Sequence, residues 1–301
     1  MIELSRYKDR PMLVLKTPML TAGFLHQDGG KLATLKDTAD GTEFLHQTEG
    51  DKYLTLEYDG DYVSSECSGF DDMFPTIDPY TPESGVLEGK TYPDHGEICR
   101  VSMENAIKRN GVTFTYRSDA FKYRYQKSIF PLRDGSIEIV YRITNDSPEP
   151  LSCLWAGHCM LRGIDGARIF TSYSDETPRV QMFGPDDVEP NDLSTDRLTG
   201  YQPGEGYTYK FYYLEKMPAG KFGVRYPDGK VLTFSTDPQK IPYLGVWLNN
   251  GTFKDIYNMA LEPCTAPYDA PDRAEAHGFP TKIAPNASVE FSIRLSLSRE
   301  S

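Results

Sequence analysis

What most limits the folds open to this chain is its near lack of helical periodicity. Short runs rich in β-branched and aromatic residues follow one another from end to end. MLVLK (12–16), KLATL (31–35), TFTYR (113–117), KYRYQKSIF (122–130) and SIEIVYRITN (136–145) read as strands. So do LSCLWAGHCML (151–161), KFGVRY (221–226), VLTFS (231–235), YLGVWLNN (243–250), IYNMALE (256–262) and VEFSIRLSL (289–297). Turns of the DGG, YPDGK and NNGT kind join them. Only RVSMENAIKRNG (100–111) admits a helix, and its alternation fits a strand as well. Strands without crossover helices predict an antiparallel sandwich or barrel. The 301 residues suit one large all-β domain spanning 1–301. FLHQ occurs at 24–27 and again at 44–47, and we read the pair as similar strands of a meander. The polar stretch 172–208 reads as a long loop or lid within that domain.

Charge narrows the partners. A net charge of −12 without any basic run argues against nucleic acid and against an anionic membrane surface. No apolar stretch reaches transmembrane length, and MIELSRYKDR contains no apolar signal region. The five cysteines form no CxxC pair, which predicts neither a disulfide framework nor a cysteine zinc site. A cytoplasmic protein, monomeric or homodimeric, is the expectation.

NMALEPCTAP (258–267) places Glu262 at the end of an apolar run, just before a proline. In a strand, Tyr257, Met259 and Leu261 share one face, and Asn258, Ala260 and Glu262 share the other. The first face suits a core and the second the floor of a polar cleft. His158 lies within a strong strand, on the parity of Arg162. His95 sits in a loop between a proline turn and a glycine, beside Glu97. In YLGVWLNN, Tyr243, Trp247 and Asn249 form an aromatic and amide face. Such a face suits a sugar, whose CH groups pack on a ring while its hydroxyls need polar partners. It also suits a half-exposed strand. His95, Glu97 and His158 are a conceivable metal set, although acid–base chemistry accounts for the same residues.

Taken in order, GFDDMFPTI (69–77), PDHGEICR (93–100), WAGHCMLR (155–162), YLGVWLNNGTF (243–253) and LEPCTAPYD (261–269) resemble the successive signatures of the aldose 1-epimerase, or galactose mutarotase-like, family. The resemblance extends to 29–47 and 283–297, and so covers nearly the whole chain. It implies a large antiparallel β-sandwich, a supersandwich with few or no helices. It also implies a carbohydrate cleft on one face, and neither cofactor nor metal. The implied reaction interconverts the α and β anomers of a free aldose, an aldohexose for instance, through the ring-opened aldehyde. Glu262 is then the base at O1, His158 the acid at the ring oxygen, and His95 a sugar ligand. Trp247, Asp72 and Arg100 are the other candidate sugar-binding residues.

The chain departs from the family where galactose mutarotases carry an Asn–Arg pair, for here the stretch reads SGFDDMFPTI, without arginine. The departure leaves a carbohydrate-binding or sensing protein of the same fold as an alternative. A mutarotase for a phosphorylated or otherwise modified hexose is another, with Arg100 and Arg162 the obvious phosphate ligands.

Overall fold

The computed structural model describes residues 2–185, 201 and 206–300. Two large antiparallel sheets carry most of the regular structure. The ten-stranded sheet runs β1 (Ile2–Tyr7), β2 (Arg10–Lys16), β3 (Leu20–Leu25), β4 (Lys31–Asp37), β5 (Phe70–Met73), β11 (Ala156–Arg162), β18 (Tyr257–Cys264), β17 (Tyr243–Asn250), β14 (Thr208–Tyr213) and β13 (Arg179–Phe183). The eight-stranded sheet runs β12 (Arg168–Phe170), β15 (Lys221–Arg225), β16 (Lys230–Thr236), β20 (Ser288–Arg299), β9 (Ile137–Asn145), β8 (Tyr123–Pro131), β7 (Gly111–Ser118) and β6 (Glu104–Lys108). A small pair, β10 (Leu151–Ser152) with β19 (Lys282–Ile283), stands apart. Among the described residues the α-helical structure is one short piece, α1 (Pro271–Ala276). The expected all-β sandwich is the fold observed.

Alternation builds the core between the sheets. On β9, Ile137, Ile139, Tyr141 and Ile143 point inward, while Arg142 faces out. Phe24 of one sheet meets Phe114 of the other with ring centres 6.3 Å apart, and the Trp155 indole N–H donates to the Tyr125 hydroxyl at 2.8 Å. β11 and β18 differ from ordinary sandwich strands because both of their faces are buried. A second apolar cluster, with Tyr62, Met73, Leu154, Ala156, Tyr212 and Cys264, accompanies loops over the middle of the ten-stranded sheet. Those loops turn the sheet's outer face into a cleft.

Several local readings need correction. Of the two readings open for 100–111 the strand is the one observed, since the segment supplies the exposed edge strand β6. The run 151–161 is two strands, because pairing with β19 ends at Ser152 and the sheet pairing of β11 starts at Ala156. The second FLHQ is not a meander strand: Leu45 makes an isolated bridge to Leu161. Within 172–208 the edge strand β13 forms, and 186–200 and 202–205 lie outside the described residues, so the lid reading falls largely there. No helix among the described residues is long and apolar enough to cross a membrane.

Candidate active site

The faces assigned to β18 from its alternation are those observed except at its first residue, since Tyr257, expected in the core, is exposed at the strand end. Met259 and Leu261 belong to the inter-sheet core, whereas Asn258 and Glu262 line a cavity of about 340 Å³ on the outer side. β17 divides in the same way, with Leu244, Val246 and Leu248 inward and Trp247 and Asn249 lining the cavity. Full burial of each of Met259 and Leu261 contributes about 1.5–3 kcal/mol, which offsets the cost of holding polar groups on the opposite face.

Register assembles the site. In the pairing of β5 with β11, Asp71 stands opposite His158. The pairing of β11 with β18, which joins Ala156 to Cys264 and Cys159 to Leu261, brings His158 level with Glu262. Glu262 in turn faces Gly245 on β17, and Gly245 faces Tyr212 on β14. One transverse row thus carries a carboxylate, an imidazole, a carboxylate, a gap and a phenol. The gap is a requirement: a Cβ on Gly245 would stand 2.6 Å from the Tyr212 ring and 3.2 Å from the Cβ of Glu262.

Within the row, His158 Nε2 lies 3.7 Å from Glu262 Oε1, near but beyond hydrogen-bonding distance. That Oε1 is buried and has no hydrogen-bond partner. Glu262 Oε2 is engaged by Lys210 Nζ at 3.3 Å, and the Tyr212 hydroxyl oxygen lies 3.5 Å from it. Lys210 also donates to Asp269 Oδ1 at 2.8 Å, as does Tyr212. Burial raises the Glu262 carboxyl above the ordinary range, opposed by Lys210 and reinforced by Asp269. Burial likewise holds His158 neutral, far below the usual imidazole value, assisted by His95 and Lys210. Lys210 stays charged because Asp269 and Glu262 outweigh its desolvation.

His95 forms the rim. Its backbone is left-handed (φ 57°), and Gly96 follows at φ 74°, where a Cβ would stand 2.5 Å from the Phe74 carbonyl oxygen. The HGE triplet is therefore partly a backbone requirement. The imidazole pairs with Asp94 Oδ1 at 2.8 Å, stacks on Tyr62 at 4.0 Å between centres and meets His158 edge-on at 5.6 Å. At the other end, Trp247 donates its indole N–H to Asn258 Oδ1 at 3.0 Å and packs against Phe183 and Phe253.

Of the residues singled out from sequence, Glu262, His158, His95 and Trp247 line this cavity together. Asp72 and Arg100 do not. Asp72 points into the core, where its Oδ2 accepts from Lys127 Nζ at 2.8 Å and neither side chain is exposed. The neighbouring Asp71 has the parity of the site. Arg100 donates to carbonyl oxygens of Glu57, Tyr58, Gly60, Asp94 and Gly96, so its guanidinium clamps two loops. Glu97 accepts from the Tyr123 hydroxyl at 2.6 Å and from Tyr116 at 3.2 Å, away from the histidines. Among the described residues no group of three His, Cys, Asp or Glu side chains is arranged to hold a metal. Lys210 and Tyr62 were missed because no periodic run marked either one. Asp269 stood in plain view as the last residue of LEPCTAPYD.

A larger hollow, about 680 Å³, lies on the outer side of the eight-stranded sheet beside Arg117, Arg124 and Arg142. Its lining contains no buried acid–base pair, so the smaller cavity is the stronger candidate for a chemical site.

No family model and no curated protein matches the sequence. Solved structures do match. The Slr1438 protein of Synechocystis sp. PCC 6803 superposes with a TM-score of 0.72 at 16% identity, with 100% of each chain covered. A galactose mutarotase-like protein of Clostridium acetobutylicum gives 0.67 at 15%, covering 100% of this chain and 99% of that one. A GalM/aldose epimerase homologue from C. elegans gives 0.60 at 13%, covering 96% and 100%. The chain is thus a β-sandwich of a class that recurs in sugar epimerase homologues. Its fold is the galactose mutarotase-like fold.

The lowered His158 value has a measurable consequence for stability. The unfolded imidazole binds a proton near pH 6.5 and the folded one only well below it. Stability from this group is complete above pH 6.5 and drains away as pH falls through the interval between the two values. The slope reaches at most about 1.4 kcal/mol per pH unit. Urea unfolding at pH 7.5 and 5.5 should show the wild type losing more stability than His158→Asn. An equal loss in the two proteins would show that His158 is not held neutral.

Proposed function

We propose that this protein is an aldose 1-epimerase-type enzyme acting on a neutral free aldose. One observation carries the reading: a buried carboxylate oxygen without a hydrogen-bond partner, Glu262 Oε1, stands 3.7 Å from His158 Nε2 in a cavity of monosaccharide scale. Glu262 takes the O1 proton, the C1–O5 bond breaks, and its electron pair goes to O5, which receives a proton from His158 Nε2. Rotation about C1–C2 presents the other aldehyde face. On closure O5 returns its proton to His158 while Glu262 returns one to O1. His95 holds hydroxyls at the rim, and the Trp247 ring receives the CH face of the sugar.

The charges favour a neutral substrate over a phosphorylated one. The cavity holds three carboxylates (Asp78, Glu262 and Asp269) against two cations (Lys210 and Arg273). Both cations already have partners, Lys210 in Asp269 and Arg273 in Asp78. A phosphate needs free donors. Exchange NMR on a panel of free aldoses tests the proposal: anomer exchange should rise in proportion to protein for at least one neutral sugar. Saturable binding without any added exchange would identify a binder instead.

Trp247→Ala should raise KM on the best aldose about tenfold, equivalent to about 1.4 kcal/mol, and leave kcat within about threefold. The motive is its place in the lining of the cavity that holds the acid–base pair, with the ring supplying surface and no proton. Steady-state kinetics decide; a loss confined to kcat would remove Trp247 from ground-state binding.

A further inference from the structure

The inventory of protons around Tyr62 bears on which nitrogen of His158 carries hydrogen. Tyr62 opens a 3₁₀ turn (Tyr62–Ser64) and is fully buried. Its hydroxyl donates to Asp71 Oδ2 at 2.9 Å. The same Oδ2 accepts from Lys31 Nζ at 2.9 Å, and Lys31 and Asp71 are 2% and 3% exposed along their side chains. A phenol has one proton, and this one is committed to Asp71. Burial, followed by the Asp71 charge, places Tyr62 ionisation far above its usual range, so the phenol remains protonated. Towards His158 Nδ1, 3.5 Å away, the Tyr62 oxygen therefore offers only lone pairs. The backbone N–H of Tyr62 donates to Asp94 Oδ2 at 3.1 Å, and its ring lies against His95, so the phenol has little freedom to turn.

We propose that Tyr62, anchored by the Asp71–Lys31 pair, is a positioning residue that fixes hydrogen on Nδ1 of neutral His158 and leaves Nε2 to exchange the proton with substrate. The inference rests on the function proposed above for its catalytic consequence, though not for the tautomer itself. Neutral imidazole in water prefers hydrogen on Nε2, so the arrangement reverses the default. With Nδ1 occupied, the Nε2 lone pair faces Glu262 Oε1 and the space between them. A ring with hydrogen on Nε2 would begin the reverse half-reaction unable to accept the O5 proton there.

Tyr62→Phe is the informative variant. It removes one oxygen, keeps the ring that stacks on His95, and leaves Asp71 its lysine. Nitrogen NMR of ¹⁵N-histidine-labelled protein at pH 8, with His158 assigned by difference from His158→Asn, reads the tautomer without any substrate. The wild type should show a protonated Nδ1 and a bare Nε2, and Tyr62→Phe should shift hydrogen to Nε2 in part or in full. On the best aldose kcat should fall about tenfold with KM nearly unchanged and circular dichroism as in the wild type. A wild-type ring carrying hydrogen on Nε2, or an unchanged tautomer in Tyr62→Phe, overturns the proposal. So does a displaced tautomer with undiminished kcat. If the wild type turns over no aldose, the reading of function fails, and the tautomer result still decides this one.

Discussion

Glu262→Gln is expected to lower catalysed anomer exchange by about 10²–10⁴-fold, the range typical of losing one general base. Glutamine keeps the shape and still accepts a hydrogen bond, but it cannot take the O1 proton. The fold should survive. Lys210 retains Asp269 at 2.8 Å after the change, so no buried cation is left alone. The substitution also removes a carboxylate whose burial disfavours its charge. Removing one partner of a buried pair destabilises where it strands the other charge, and here Asp269 keeps Lys210 paired, so the melting temperature should change little. Exchange NMR paired with thermal unfolding checks both parts. Exchange at the wild-type rate, in a folded protein, would falsify the role of Glu262 as base.

The sequence exposed the core and half of the site through one property, the period of two along a strand. That period separated Met259 and Leu261 from Asn258 and Glu262, and Leu244, Val246 and Leu248 from Trp247 and Asn249, as the structure does. Its weakness is parity without register. Asp71 and Asp72 are adjacent, and alternation alone does not say which one faces the cleft. Pairing with β11 decides, since it sets Asp71 against His158 and sends Asp72 to Lys127 in the core. Contacts across long chain separations leave still less trace. Tyr62 reaches His158 over 96 positions and Lys210 reaches Asp269 over 59, with no local pattern marking either pair. Arg100 misled for a related reason: a cation beside a histidine looks like a ligand until its donors are counted against the carbonyls around it.

His158→Asn should be the other severe lesion, with kcat down about 10²–10⁴-fold and KM moved little, because proton delivery to O5 is made in the transition state. The pKa shifts explain why this pair suits the reaction. In water the two groups differ by about two pH units, His near 6.5 and Glu near 4.3. Burial raises Glu262 and lowers His158, so the two shifts run against the difference the groups have in water. In the proposed cycle a proton passes between them by way of the sugar. The cycle requires this, since the closed sugar needs a protonated His158 with an ionised Glu262, and the open aldehyde the reverse. The pair must carry one proton in total, so activity should follow a bell-shaped pH profile whose limits belong to the pair jointly. Asparagine at 158 keeps a hydrogen-bonding amide but has no titrating nitrogen, and the bell should lose a limb. His95→Asn should instead raise KM as well as lower kcat and keep both limbs, because in the proposed reaction His95 holds sugar hydroxyls from the rim in ground and transition states alike. Steady-state kinetics of the two variants from pH 5 to 9 separate the roles. A lost limb in His95→Asn, with His158→Asn altering only KM, would exchange the two assignments.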